Sequence, residues 1–109
     1  MNRTEPLADG ELYHVYNRGN HKERIFFDKA DYLFFLRRML EYANRYNVSI
    51  VMFVLMPNHY HFILRQKKMG GISSMMGTLA TSFAKRQNIL RNRSGHLFQL
   101  ARYIHLKSG

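Results

Sequence analysis

At 109 residues with a formal charge of +10, from 17 Lys and Arg against 7 Asp and Glu, the chain reads as one domain with a polyanionic partner. It has no cysteine, which excludes disulfides and thiolate metal sites and leaves His, Asn, Gln, Asp and Glu as ligands, a set that favours Mg²⁺ or Mn²⁺ over structural zinc. No apolar run approaches the roughly 18 residues of a spanning helix and no signal-peptide pattern opens the sequence, so no membrane role and a cytosolic location are expected.

Residues 1–10 carry Pro6 and Gly10 without periodicity and read as a flexible lead-in to a single domain over 11–109. Leu12 to Asn17 is rich in aromatic and β-branched residues, and Arg18-Gly19-Asn20 ends it with turn chemistry, which predicts a first strand. Alternation places Tyr13, Val15 and Asn17 on one face and Leu12, His14 and Tyr16 on the other. His14 is a candidate core residue in preference to a phosphate contact.

Asn20 to Lys29 reads as a polar loop anchored by Ile25, Phe26 and Phe27, with Asp28 or Asp31 capping the next helix. Between Tyr32 and Tyr46, Leu33, Leu36, Met39, Leu40 and Ala43 recur at helical spacing. Val48 to Met56 is apolar on both faces and predicts a buried strand. After a basic loop over Gln66 to Gly71, Ser73 or Ser74 is the candidate cap of a second helix ending near Leu90, with Met75, Met76, Leu79, Ala80 and Phe83 as its apolar stripe. His96 to Gln99 and Tyr103 to Leu106 are short strand-like pieces.

The chemistry concentrates in Met56-Pro57-Asn58-His59-Tyr60-His61-Phe62. Pro57-Asn58 reads as a tight hairpin connection between two apolar runs. In the strand that follows, His59 and His61 are two apart and share a face, which makes half of a metal site. A lone histidine would more often be a capping or core residue. A same-face pair in a strongly basic chain favours the metal. Tyr60 points away from both.

Strand, helix, strand, strand, helix, strand is the order of an α+β ferredoxin-like sandwich, with an antiparallel sheet and two helices on one face. The other face is then open to a ligand.

Three segments carry a family resemblance: Tyr13-His14-Val15-Tyr16-Asn17-Arg18-Gly19, Phe53 to His61, and Arg93-Ser94-Gly95-His96-Leu97-Phe98-Gln99. Together they are similar to the single-tyrosine HUH transposases, in particular the REP-associated tyrosine transposases. The resemblance implies metal-dependent DNA strand cleavage and rejoining through a 5′-phosphotyrosine. It implies His59, His61 and a polar residue of the second helix as ligands of Mg²⁺ or Mn²⁺. Gln87 is preferred as the third ligand, with Asn88 as the alternative. The implied partner is single-stranded or hairpin DNA at the nucleoid, and the family leaves room for a homodimer.

The departure lies at the nucleophile, where the alignment puts Phe83, which has no hydroxyl. A tyrosine at 83 would restore the missing group; Tyr103 is the other candidate. A block also looks missing between Gln99 and Tyr103, as in a shortened domain. Arg18, Lys22, Arg24, Lys67, Lys68, Lys85, Arg86, Arg91 and Arg93 are the candidate DNA contacts, and Tyr16, Tyr60 or Phe62 could stack on bases. The expectation is a transposase-like domain that is cleavage-deficient. The alternatives are a non-catalytic DNA-binding module and, more weakly, an RNA-binding ferredoxin-like domain, which the absence of a glycine-rich aromatic strand signature disfavours.

Overall fold

The computed structural model describes residues 7–67 and 69–106, and Lys68 lies outside them. Strand β1 (Leu12–Arg18) leads through a 3-10 turn (Asn20–Lys22) to helix α1 (Lys29–Arg45). Strands β2 (Val48–Met56) and β3 (His59–Gln66) form a hairpin, followed by helix α2 (Gly71–Leu90) and strand β4 (Arg102–Leu106). The strands make one antiparallel sheet in the order β2-β3-β1-β4. This is the ferredoxin-like α+β sandwich.

The inward residues of the central strands form the core floor. Tyr13 and Val15 of β1 and Tyr60, Phe62 and Leu64 of β3 are buried. They pack with Phe35, Met39 and Tyr42 of α1 and Ile72, Met75, Met76, Leu79 and Phe83 of α2. Period-two alternation therefore leaves His14, Tyr16, His59 and His61 on the helix-free face.

The helices are joined by charge as well as by apolar packing. Asp28 caps α1, its Oδ1 accepting from the Asp31 N–H at 3.0 Å. Asp31 itself is 1% exposed. Its carboxylate accepts from Arg86 Nη1 at 2.6 Å and Arg91 Nη2 at 2.7 Å, both at the far end of α2, and from the Phe27 N–H at 2.7 Å. Burial alone would push this carboxyl up, but the hydrogen bonds, led by those from Arg86 and Phe27, hold it well below the usual carboxylate range.

Several expectations need correction. The buried face of α1 runs through Asp31, Phe35, Met39 and Tyr42, whereas Leu33 and Leu40 face solvent. Aromatic bulk and a buried acid rotate the stripe away from the leucines. β2 is not buried: it is an edge strand with a bulge between Ile50 and Met52, and Val51 to Val54 and Met56 are exposed. Apolar residues on both faces do not require two covering layers when the strand has only one neighbour.

Helix α2 starts at Gly71, ahead of both serines, and Gly70 precedes it in the left-handed region with no side-chain cap. The Gln66 amide oxygen accepts from the Ile72 N–H at 3.0 Å and takes the cap's role. A Cβ on Gly71 would lie 2.6 Å from the Tyr46 carbonyl oxygen, so only glycine fits this approach. In the lead-in, Leu7 is buried and the Ala8 N–H donates to the Tyr13 hydroxyl at 2.7 Å, so 7–10 are tied to the sheet. Residues 1–6 of that segment lie outside the described residues. His96 to Gln99 makes only an isolated bridge, Gly19 with Phe98.

Candidate functional site

The site begins at the end of β1. Gly19 N–H donates to the Asn58 carbonyl at 2.9 Å, tying β1 to the β2–β3 turn, and Asn20 N–H donates to the Leu97 carbonyl at 2.8 Å. A side chain on Gly19 would run into the carbonyl of Glu23, so the Arg18-Gly19-Asn20 bend needs glycine here. These ties bring the 97–102 segment alongside β1. Between them lies a cleft of about 450 Å³ lined by Tyr16, Asn17, Arg18, Asn58, His59, His61, Gln99, Leu100 and Arg102.

His59 and His61 stand together in it, ring centroids 5.1 Å apart and nearly perpendicular. His59 Nδ1 is 2.7 Å from Asn58 Oδ1. An amide oxygen only accepts, so His59 carries its proton on Nδ1 and its Nε2 lone pair is available. His61 Nδ1 lies 3.0 Å from His14 Nε2, which likewise leaves Nε2 as the nitrogen not engaged. His14 is thus a half-buried neighbour of the pair and not a core residue.

Tyr16 stacks on His61 with centroids 5.6 Å apart and lies 5.0 Å from His14. Partial burial, with the neighbouring charges of His14 and His59, pushes the His61 pKa down and favours the neutral form. Among the described residues, no group of three or more His, Cys, Asp or Glu side chains is placed to hold a metal. Two imidazole nitrogens fit a divalent cation whose remaining positions go to water, amide or phosphate oxygens.

The second helix contributes nothing to this cleft. Gln87 is fully buried; its Nε2 donates to the Ile25 carbonyl at 2.9 Å and its Oε1 accepts from Arg86 at 2.9 Å. Asn88 is bonded to the Gly95 carbonyl and to Arg93. Phe83 is fully buried on the helix side of the sheet, in ring contact with Phe26 and Phe35. Helical spacing correctly put Phe83 and Gln87 on one face, but that face is the core. Tyr60 is buried and its hydroxyl pushed above the usual tyrosine range by burial. Tyr103 pairs with Val15 and shares its inward face. Of the tyrosines among the described residues, Tyr16 is the one that lines the cleft.

The basic residues divide similarly. Arg18 lines the cleft, and its Nε donates to Gln99 Oε1 at 3.4 Å. Lys22 is exposed on the neighbouring 3-10 turn. Arg24 donates to the Phe26 carbonyl at 2.6 Å, and Arg93 pairs with Glu23. Arg86 and Arg91 hold Asp31, and Arg91 also covers the Phe27 ring at 4.2 Å. Lys67 and Lys85 are exposed but away from the cleft, at the far end of β3 and on α2. Arg102, which no sequence motif marks, lines the cleft because β4 pairs it with Tyr16. Only the strand register reveals it.

The profile of IS200-like transposases matches residues 10–105, nearly the whole described chain. The chain belongs to the IS200-like transposase family. Its fold superposes on a REP-associated tyrosine transposase bound to a REP hairpin, with TM-score 0.74 and 14% identity over 100% of this chain. This IS200-like chain spans 63% of the length of that structure. A transposase candidate from Deinococcus radiodurans R1 superposes with TM-score 0.67 and 16% identity, over 100% of this chain and 87% of the other. No curated protein is significantly similar. Among the described residues, no helix is long and apolar enough to cross a membrane.

Proposed function

We propose that this IS200-like domain binds single-stranded or hairpin DNA in the His59–His61 cleft and does not cut it. The observation that carries the reading is the cleft itself: two imidazoles, two arginines and an aromatic ring on the helix-free face of a strongly basic domain. The solved relative bound to a REP hairpin supports the form of the partner.

In this reading Arg18 and Arg102 donate to phosphate oxygens and hold the backbone. Tyr16 offers a ring face to an unpaired base. His59 and His61 supply Nε2 lone pairs for Mg²⁺ or Mn²⁺, which when bound would neutralise charge on a phosphate oxygen. A phosphate is part of the site, because two neutral imidazoles compensate none of the cation's charge.

The side chains of Phe83, Tyr60 and Tyr103 supply no nucleophile to the cleft. Phe83 has neither a hydroxyl nor access to the cleft, Tyr60 and Tyr103 point inward, and Phe83→Tyr would place its hydroxyl in the core. With Mn²⁺ and labelled hairpin DNA, neither the wild type nor Phe83→Tyr should give a covalent band on a denaturing gel. A second reading, strand transfer, is favoured by one observation, the position of Tyr16 beside His61. A wild-type band that disappears in Tyr16→Phe would establish it and overturn the non-cleaving binder.

Binding itself is tested by fluorescence anisotropy with a labelled hairpin across a salt series. Affinity should fall steeply, with a log-log slope of about −0.7 to −0.9 per phosphate neutralised. No binding at low salt would contradict the function.

A further inference from the structure

The HUH pair has a third histidine beside it that the motif does not contain. His14 sits on β1, two residues before Tyr16 and on the same face as the Tyr16–His61 pairing, and its Nε2 meets His61 Nδ1 at 3.0 Å. The rings are near-parallel, with centroids 5.2 Å apart, and Tyr16 packs against both.

The two histidines of the pair are oriented by different chemistry. His59 faces an amide oxygen that can only accept, so its tautomer has one solution. His61 faces another imidazole nitrogen, which can either accept or donate. If His14 donates, His61 must carry its own proton on Nε2, where it cannot bind a cation. If His14 accepts, His61 carries its proton on Nδ1 and presents a bare Nε2. His14 therefore selects whether the second ligand exists.

We propose that His14 is a positioning residue for His61, accepting the Nδ1 proton so that the His61 Nε2 lone pair faces the cleft. Its role parallels the carbonyl or carboxylate that commonly holds the far nitrogen of a metal-bound histidine. Met52, Val54, Ile63 and Leu106 line the adjoining dent on the same face, and no carboxylate among its lining residues competes for the proton. The inference rests on the reading of His59 and His61 as cation ligands, but the proton position can be observed without any cation.

Long-range ¹⁵N–¹H correlation spectra of the metal-free protein at pH 8 report the His61 tautomer. Wild type should show Nδ1–H, against the Nε2–H form that a free imidazole side chain favours. His14→Phe keeps a ring but removes the acceptor, and should move His61 toward Nε2–H and weaken Mn²⁺ binding by about 10- to 100-fold. His14→Gln supplies an accepting oxygen and should preserve both. An Nε2–H His61 in the wild type, or an unchanged Nδ1–H form in His14→Phe, would overturn the proposal. If the tautomers follow the prediction but calorimetry finds no Mn²⁺ binding even with hairpin DNA, the cation reading fails while the positioning role stands.

Discussion

Asp31→Ala is expected to lower the unfolding free energy by about 3 kcal/mol, the lower end of the range for breaking a buried ion pair. The carboxylate is 1% exposed and joins α1, the 25–27 loop, Arg86 of α2 and Arg91 at the helix's C-terminal cap. Its removal leaves two guanidinium groups and the Phe27 N–H without their partner. Arg86 and Arg91 retain 20% and 30% side-chain exposure, so they can turn partly to water, which limits the loss. Urea denaturation of both proteins measures it. The same group predicts an acid dependence. Its folded pKa lies below the ordinary 3.8, so its contribution is complete above about pH 5 and is lost as pH falls toward the folded value. Asp31→Asn should accordingly show a flatter acid limb than the wild type.

His61→Ala should weaken Mn²⁺ binding in the presence of hairpin DNA by more than about 100-fold, beyond the upper end of what an outer-shell change costs. His61 is one of two imidazoles facing the cleft, and His59 alone gives the cation a single nitrogen. Stability should change little, because His61 is half-buried on the helix-free face, not in the core. Calorimetric titration of Mn²⁺ into each protein, with and without DNA, is the check. Equal affinity in wild type and His61→Ala would remove both histidines from the assignment.

The fold was legible where alternation and helical periodicity agreed with burial. Tyr13, Val15 and Asn17 fell on the inward face of β1 as expected, and Pro57-Asn58 turned the hairpin that aims His59 and His61 together. Legibility failed where one residue serves a partner distant in sequence. Asp31 looked like a helix cap and Arg86 and Arg91 like DNA contacts, because nothing local shows that the three meet across 55 to 60 residues. Gln87, preferred over Asn88 as the third ligand for its place four residues after Phe83, is by that same spacing aligned with the core stripe through Leu79 and Phe83, and the carbonyl of Ile25 claims its amide. Alternation alone makes His14 a core candidate, because a single strand cannot say which neighbour it will lie beside. Arg102 carries no local signal for the same reason, since its place beside Tyr16 depends on the β1–β4 register.

The claim that DNA occupies the histidine cleft is tested most directly by hairpin anisotropy on three proteins: the wild type, Arg18→Ala/Arg102→Ala, and Lys67→Ala/Lys85→Ala. Both double variants lose the same net charge, so they separate location from overall attraction. The cleft variant should weaken binding the more and flatten the log-log salt slope by about 1.5, as expected for two lost phosphate contacts. The lysine variant should keep nearly the wild-type slope. Equal losses in the two variants would contradict the cleft as the DNA site.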